Sequence, residues 1–193
     1  MNSSSDFLSS TLKLFRYYKS LGDKTIAALS DEQLYYQPTT ESNSVAIIIQ
    51  HLSGNMLSRF TDFLTTDGEK DWRKRDAEFE ISHGQEVPFF EKVELLKAEW
   101  EKGWACMFAA IEPLTEEDLS KTIYIRNESH TVTEALQRQL AHYASHIGQI
   151  IYIGKMLLNE NWQSLSIPRN KSADFNKERF DKDKERKHFT DKL

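Results

Sequence analysis

The stretch TVTEALQRQLAHYASHIGQIIYIGKML, residues 131–157, decides the fold class because it carries a long, uninterrupted helical pattern. Thr131 and Glu134 have the spacing of a capping box, which predicts that a helix begins here and runs through Leu158. At about 100° per residue, the main core-facing positions form one arc. They are Leu136, Leu140, Tyr143, Ile147, Ile150, Gly154 and Leu158. A helix with such an arc must bury it against other elements, and helices are the expected partners.

Three other segments repeat apolar residues at intervals of three and four. The first spans about Asp6 to Leu29, the second follows a candidate N-cap at Ser44 and reaches about Leu64, and the third covers 89–111. Only seven glycines and four prolines interrupt the chain. The sequence therefore predicts an all-α protein in which four long helices form a bundle.

Two connections and the C-terminal end depart from the helical pattern. Residues 65–88 make a long charged loop between the second and third helices, and residues 121–130 alternate in a way that predicts a short extended segment. We expect the bundle domain to cover residues 1–170. The mixed-charge tail, residues 171–193, is expected to be loosely ordered or to pack only through Phe175 and Phe180.

Composition excludes several classes of function. The chain has 193 residues, of which 39% are hydrophobic and 28% charged, and a formal net charge of −5. This is the balance of one ordinary globular domain, without the basic field that nucleic acid or an anionic membrane would attract. The first residues lack a signal-peptide pattern, and no apolar run is long enough to span a bilayer. We therefore expect a cytoplasmic protein that acts on a small molecule, with no nucleic-acid or membrane partner.

Histidine supplies the strongest candidate for a functional site. His142 and His146 are four residues apart, which on a helix places two imidazoles on one face about one turn apart. They lie at the edge of the core arc, so both are expected to be at least half buried. Two explanations remain open for the pair alone: a metal site, or core histidines whose nitrogens bond to carbonyls and polar neighbours.

A third histidine favours the metal site. His51 lies in AIIIQHLSGNM on the second helix, where almost every face is apolar and an unpaired imidazole would be costly. In a four-helix bundle the second and fourth helices can face each other across the core. We therefore predict that His51, His142 and His146 bind one divalent cation, with open positions for water or substrate.

The remaining chemistry-bearing residues are weaker candidates. His83, His130 and His188 lie in polar segments and are expected to be solvated. The single cysteine, Cys106, cannot form an internal disulfide and is expected to be a buried, unreactive thiol.

The charged loop adds two arginines. Arg73 and Arg75 could face an anionic substrate, but as surface residues they are expected to pair with Asp71, Asp76 or Glu78. In the sequence, no second carboxylate or cysteine near the three histidines offers an evident general base.

Polar residues near the predicted site could support it. Asn55, Gln139 and Gln149 are the predicted cofactor-binding residues, and Arg59 lies on a neighbouring strip of the second helix. Helix periodicity alone does not separate this function from ordinary polar bonding in the core.

The segments SVAIIIQHLSGNMLSRF, residues 44–60, and 131–157 resemble the DinB-like superfamily of metalloenzymes, and more closely a bacterial branch of it that is a domain of unknown function. The loop DGEKDWRKRDAEFE and the segment LSIPRNKSADFN also resemble that branch, so the likeness covers roughly residues 6–180. Its most specific motif is HxxxHxGQ, from His142 to Gln149. The resemblance implies an up-down four-helix bundle with one metal ligand from the second helix and two from the fourth.

The ligands implied by the resemblance match His51, His142 and His146. Characterised relatives include bacillithiol transferases and mycothiol-dependent maleylpyruvate isomerase, which use a divalent metal to activate a low-molecular-weight thiol. The resemblance thus implies thiol transfer, or a related hydrolysis or isomerisation, with Zn or Ni as the expected metal. Because one fold hosts many reactions, this implication is an analogy.

Three hypotheses follow. The protein is a metal-dependent enzyme, a non-catalytic metal- or ligand-binding bundle, or an interaction protein that works as a dimer. A homodimer is expected in any case, because helical bundles of this size commonly associate through leftover apolar surface. Metal content separates the first two hypotheses from the third.

Overall fold

The computed structural model describes residues 3–80 and 89–192, and within them the chain is mostly helical. The α-helices are α1 Ser3–Ala28, α2 Asp31–Tyr35, α3 Val45–Phe60, α4 Phe89–Ile111, α5 Val132–Leu158 and α6 Ser172–Phe180. A small antiparallel sheet consists of β1 Thr122–Ile125 and β2 Glu128–Thr131. The predicted helical class is thus confirmed, and the predicted extended segment before the last long helix is this hairpin.

The caps read from the sequence begin the helices that carry the histidines. At the start of α5, the Thr131 hydroxyl accepts from the Glu134 backbone N–H at 3.1 Å, and Glu134 Oε2 accepts from the Thr131 N–H at 2.7 Å. At the start of α3, Ser44 Oγ accepts from the Ile47 N–H at 3.2 Å. Each cap satisfies backbone donors that have no partner inside the helix, so both starts are fixed locally.

Helix ends and short helices differ from the prediction. The helix α3 ends at Phe60 rather than at Leu64, because Asp62 adopts a left-handed backbone conformation with φ of 50° and turns the chain into the charged loop. The short helices α2 and α6 were not predicted. Helix α4 spans Phe89–Ile111, as expected from the proline that follows it.

The long helices pack mainly in pairs. Helix α3 lies against α4, α1 lies against α5, and α3 also contacts α5. The largest buried side chains in the described part of the chain include Phe15, Trp104, Tyr143, Ile47 and Met56. Phe15 of α1 and Trp104 of α4 both contact the Tyr143 ring, with centroids 5.9 and 5.8 Å away. The core thus brings the α1–α5 pair and the α3–α4 pair together around Tyr143 of α5. The up-down order of the helices stays a prediction.

The hairpin anchors the charged loop. Arg126 and Asn127 form its turn with φ of 57° and 62°, and their backbone N–H groups both donate to the Asp67 carboxylate at 2.8 Å. The Gly68 N–H also donates to the Tyr124 carbonyl at 2.8 Å. The first half of the loop is therefore held against the sheet, which directs the following residues back over α3.

The C-terminal segment packs on α1 through polar contacts. Asp191 accepts from Lys13 at 2.7 Å, and His188 Nε2 lies 3.1 Å from the Ser10 hydroxyl. These contacts do not use Phe175 or Phe180, the residues expected to pack the tail: Phe180 is 83% exposed, and Phe189 contacts the Tyr17 ring. Opposite charges and hydroxyls on α1 give the tail partners that its low apolar content does not predict. The boundary at residue 170 stays a prediction.

No helix in the described ranges, 3–80 and 89–192, has both the length and the apolar character needed to cross a membrane.

Candidate metal centre

Three histidines meet between α3 and α5. His51 is buried near the middle of α3, while His142 and His146 lie partly buried on successive turns of α5. His142 Nε2 is 3.2 Å from His51 Nε2 and 3.1 Å from His146 Nε2. One ligand atom from each residue lies within 4.8 Å of the other two. The structure therefore brings together the three residues that the sequence singled out.

Two of the three separations between these nitrogens fit a shared cation, and the third is within 4.8 Å. With a metal–nitrogen bond of about 2.0–2.1 Å, two ligands lie about 3.4 Å apart in tetrahedral geometry and about 2.9 Å apart at a right angle. The distances of 3.2 and 3.1 Å fall between these limits. Three imidazoles and no thiolate is a donor set that suits Zn, Ni, Fe or Cu.

Hydrogen bonds at the far side of two rings select the tautomer that a metal requires. His51 Nδ1 lies 3.0 Å from Glu78 Oε2, and His146 Nδ1 lies 2.9 Å from Gln149 Oε1. Carboxylate and amide oxygens only accept, so both Nδ1 atoms carry the proton. The Nε2 atoms are then left with lone pairs directed at the common point.

The electrostatic environment keeps the α5 histidines neutral. Burial, together with the neighbouring His146 and His51, lowers the pKa of His142 to about 3. Burial also lowers the pKa of His146, against the opposing hydrogen bond with Gln149. A neutral imidazole is the form that binds a metal, so near neutral pH these two ligands need lose no proton.

A carboxylate that the sequence did not place at the site touches His51. Glu78, in a short 3-10 turn over Asp76–Phe79, accepts from Arg73 Nε and Nη2 at 2.8 Å each and from His51. Helical periodicity does not place this carboxylate beside His51, because the contact forms only where the loop folds back over α3. Burial disfavours the charged form of Glu78, but the hydrogen bonds from Arg73 and His51 outweigh it and lower its pKa.

Gly54 is a signal in the sequence that could have indicated Glu78. It lies one turn beyond His51 in an otherwise bulky apolar helix. A glycine in a helix costs stability unless something approaches its backbone closely, and an acidic aromatic loop follows on the same chain. Neither feature alone names the partner.

The two loop arginines have different surroundings. Arg75 is exposed, pairs with Asp76 at 3.5 Å and lies over the Phe79 ring, as expected for a surface arginine. Arg73 also pairs within the loop, with Glu78, but its side chain is only 2% exposed, so its predicted surface position is wrong. Its partners are the buried Glu78 and the partly buried Glu69, which both lie in the same loop.

The predicted cofactor-binding residues lie in three different surroundings. Asn55 is buried and its Oδ1 accepts from the Tyr143 hydroxyl at 3.0 Å, which is a core contact. Gln139 is buried on the same strip of α5 as the histidines, and its Oε1 has no hydrogen-bond partner among the described residues. Gln149 contacts His146 directly. Arg59 donates to Glu69 at 3.0 Å and to the Gly68 carbonyl. Contact of the three predicted residues with a cofactor stays a prediction.

A groove opens beside the three-histidine cluster. It has a volume of about 550 Å³ and runs between the residues that precede α3 and the outer face of α5. Its lining includes Gln149, Pro38, Ile48, Ile153 and Met156. Since Gln149 also bonds to His146, the groove begins next to the three-histidine cluster.

The other titratable candidates lie elsewhere. His130 on β2 contacts Arg138, His188 contacts α1, and His83 falls outside the described residues. Cys106 is partly buried, and its sulfur lies 3.7 Å from the Thr61 hydroxyl at the end of α3. Ten residues of helix separate Thr61 from His51, a distance of about 15 Å along the axis.

Comparison with known proteins gives a family for the chain but no activity. A search of curated proteins finds no match. Residues 2–171 match the model of a family described as "Protein of unknown function (DUF1572)". The match takes in α3, the charged loop and α5, which together carry every residue of the three-histidine cluster and its partners. The chain therefore belongs to the DUF1572 family.

Proposed function

We propose that this protein is a divalent-metal-dependent enzyme with an open three-histidine site, and that it transfers a low-molecular-weight thiol. The observation that carries the proposal is the convergence of three Nε2 atoms: His142 Nε2 lies 3.2 Å from that of His51 and 3.1 Å from that of His146. Structural zinc sites use four protein ligands, whereas catalytic sites use three and leave a position for water or substrate. A three-ligand set in a partly buried cluster is therefore better suited to chemistry than to stability.

The protein's own residues act by holding and orienting. His51, His142 and His146 would bind the cation, with Zn or Ni as the expected metal. A bound divalent cation lowers the pKa of a coordinated thiol or water and so supplies a nucleophile near neutral pH. Cys106 lies on α4 and contacts Thr61 at the end of α3, about 15 Å along the axis from His51, so it is too far away to take part. Within the described residues, no other cysteine competes for the role of nucleophile.

The groove beside Gln149 offers a place for the rest of a small substrate. Its wall is largely apolar. Gln149 of α5 lines the groove and also contacts His146, which connects the groove to the cluster. A thiol whose sulfur reaches the cation would extend into this groove. The resemblance to the DinB-like superfamily, including its up-down four-helix bundle, supports the same proposal by analogy.

Metal content tests the site. Wild-type protein purified without chelator should hold close to one equivalent of a divalent transition metal by mass spectrometry. His142→Ala should hold almost none, because His142 is the ligand that contacts both others. His130→Ala is the matched control, since His130 bonds to Arg138 away from the cluster. Equal metal content in wild type and His142→Ala would overturn the proposal.

Turnover tests the reaction. The metal-loaded protein should conjugate monochlorobimane to bacillithiol, mycothiol, glutathione or coenzyme A faster than His146→Ala does. Cys106→Ser should keep the wild-type rate, because the thiol of the substrate and not that of the protein is the nucleophile. If no thiol gives metal-dependent turnover above the His146→Ala background, the protein is instead a non-catalytic metal-binding bundle.

We also propose that the protein is a homodimer. Tyr152 and Met156 leave apolar surface exposed on the outer face of α5. Such surface is a common site of association between helical proteins. Light scattering at micromolar concentration should give twice the chain mass of 22.5 kDa. A mass of one chain would contradict the proposal.

A further inference from the structure

We propose that Glu78, clamped by Arg73, is a positioning residue that fixes the ring of His51 in the tautomer and orientation that a metal requires. The inference rests on the proposed metal site and deepens it. It makes the charged loop after α3 part of the proposed metal centre, although none of the three proposed ligands comes from residues 65–80 of that loop. Outer partners of this kind commonly orient metal-binding histidines in proteins.

The contacts of Glu78 leave it one function towards the histidine. Arg73 donates from two nitrogens, one to each carboxylate oxygen, at 2.8 Å. This bidentate pair fixes the plane of the carboxylate. Its Oε2 then accepts from His51 Nδ1 at 3.0 Å. Because the carboxylate has no proton to donate, the contact places the ring proton on Nδ1 and leaves Nε2 as the metal-binding atom.

The backbone of α3 reserves the space for this carboxylate. A Cβ atom built on Gly54 would lie 2.8 Å from Glu78 Cδ and closer still to Oε1. Glu78 could move away only by breaking its bonds to Arg73, which holds both carboxylate oxygens. The helix therefore has a glycine one turn after His51 where the carboxylate must approach.

Burial argues that the ion pair is kept for position rather than for stability. The side chains of Arg73 and Glu78 are 2% and 9% exposed. Removing two charges from water costs about as much as their attraction returns, so such a pair adds little net stability. Apolar residues would fill the same space at no such cost. What they could not supply is an acceptor for His51 Nδ1.

A chain of ion pairs connects this position to the hairpin. Glu69 lies between Arg73 at 3.6 Å, Arg59 at 3.0 Å and Arg126 at 3.1 Å. Arg126 is in the turn of the hairpin whose backbone N–H also donates to Asp67. The loop thus contacts the sheet through Asp67 and contacts His51 through Glu78. These contacts fix the position of Glu78 over α3.

The ring tautomer of metal-free protein tests the inference independently of any metal. Long-range ¹H–¹⁵N spectra of wild type should show His51 with a protonated Nδ1 and an unprotonated Nε2. In Glu78→Gln the amide has one oxygen and one NH₂ group, and the NH₂ group must face either Arg73 or His51, which both donate. His51 Nδ1 then no longer always meets an acceptor, so the His51 signals should move towards a mixture of tautomers. Asp76→Asn makes the same charge change in the same turn at a side chain that is 99% exposed, and should leave them unchanged.

Gly54→Ala provides a second variant that keeps every hydrogen-bonding group. Its methyl group displaces the carboxylate and should change the His51 signals in the direction seen for Glu78→Gln. Circular dichroism confirms that each variant is folded. Wild-type signals in both Glu78→Gln and Gly54→Ala would overturn the inference, whether or not the protein binds metal.

Titration with Zn²⁺ gives the second readout. Loss of the outer partner should weaken binding by about 10- to 100-fold in Glu78→Gln and Gly54→Ala, with no change in Asp76→Asn. If wild type binds Zn²⁺ and both variants bind it equally well, the inference is wrong while the proposed function stands. If wild type binds no metal, the proposed function fails, and the tautomer spectra alone decide the function of Glu78.

Discussion

The loop after α3 and the C-terminal segment are similar in composition but differ in what their charges contribute. Both are rich in acidic and basic residues, and both place an acid–base pair against a long helix. In the loop, Arg73 and Glu78 are 2% and 9% exposed, whereas Lys13 and Asp191 at the tail are 38% and 35% exposed. Water and salt screen the second pair but not the first. Burial, and not the pattern of charges, therefore decides which charged segment belongs to a site.

The largest expected difference between the two regions concerns metal binding. His51→Ala removes a proposed ligand that the loop supports. Loss of an outer partner weakens metal binding by about 10- to 100-fold, and loss of this ligand should weaken Zn²⁺ binding more than that. His188→Ala removes the histidine with which the tail contacts Ser10 and should not change the affinity. Isothermal titration calorimetry measures both. Similar losses in the two variants would remove the distinction between the regions.

The second prediction compares the two cations. Arg73→Met leaves Glu78 in buried surroundings without its cation, so the free energy of unfolding should fall by about 3 kcal/mol. Lys13→Met removes a partly exposed partner of Asp191 and should cost less than about 1 kcal/mol. Urea unfolding gives both values. A small loss for Arg73→Met would show that the loop pair relaxes into water as readily as the tail pair.

The third prediction examines the close approach of the loop to α3. In a helix, alanine is usually more stable than glycine by about 1 kcal/mol. Gly148→Ala, where an added Cβ meets no atom within 4 Å, should therefore raise the free energy of unfolding. Gly54→Ala should lower it, because the methyl group displaces Glu78 from Arg73 and His51. Equal gains in the two variants would show that the loop is free to move away.

The smallest expected effect is the pH dependence of the tail. The hydrogen bond from Lys13 lowers the pKa of Asp191 in the folded protein. Its contribution to stability is therefore present above the unfolded pKa of about 3.9 and is lost as the pH falls through the folded value. The difference in thermal unfolding between wild type and Asp191→Asn should be small near neutral pH and should vanish once the pH is below the folded pKa. A difference that grows on acidification would contradict this sign.

Local signals in the sequence predicted the helices and their starts. The capping box at Thr131 and the N-cap at Ser44 fix their helices through contacts within one turn, so the sequence contains all the information needed. The end of α3 was harder to predict, because the left-handed conformation of Asp62 has no distinctive residue pattern. Helix α6 was missed because its residues are mostly polar and it buries little.

The sequence alone determined the helical class, the caps and the residue types of the site, because periodicity and the cost of burying an imidazole are properties of single segments. Only the tertiary structure decided that Glu78 meets His51, since 27 residues and a loop pinned to a distant hairpin separate them. It also decided that Arg73 is buried while Arg75 is exposed, although both stand in one charged run. Contacts between segments depend on where the chain turns, and here those turns are set by the hairpin and by the space that Gly54 leaves on α3.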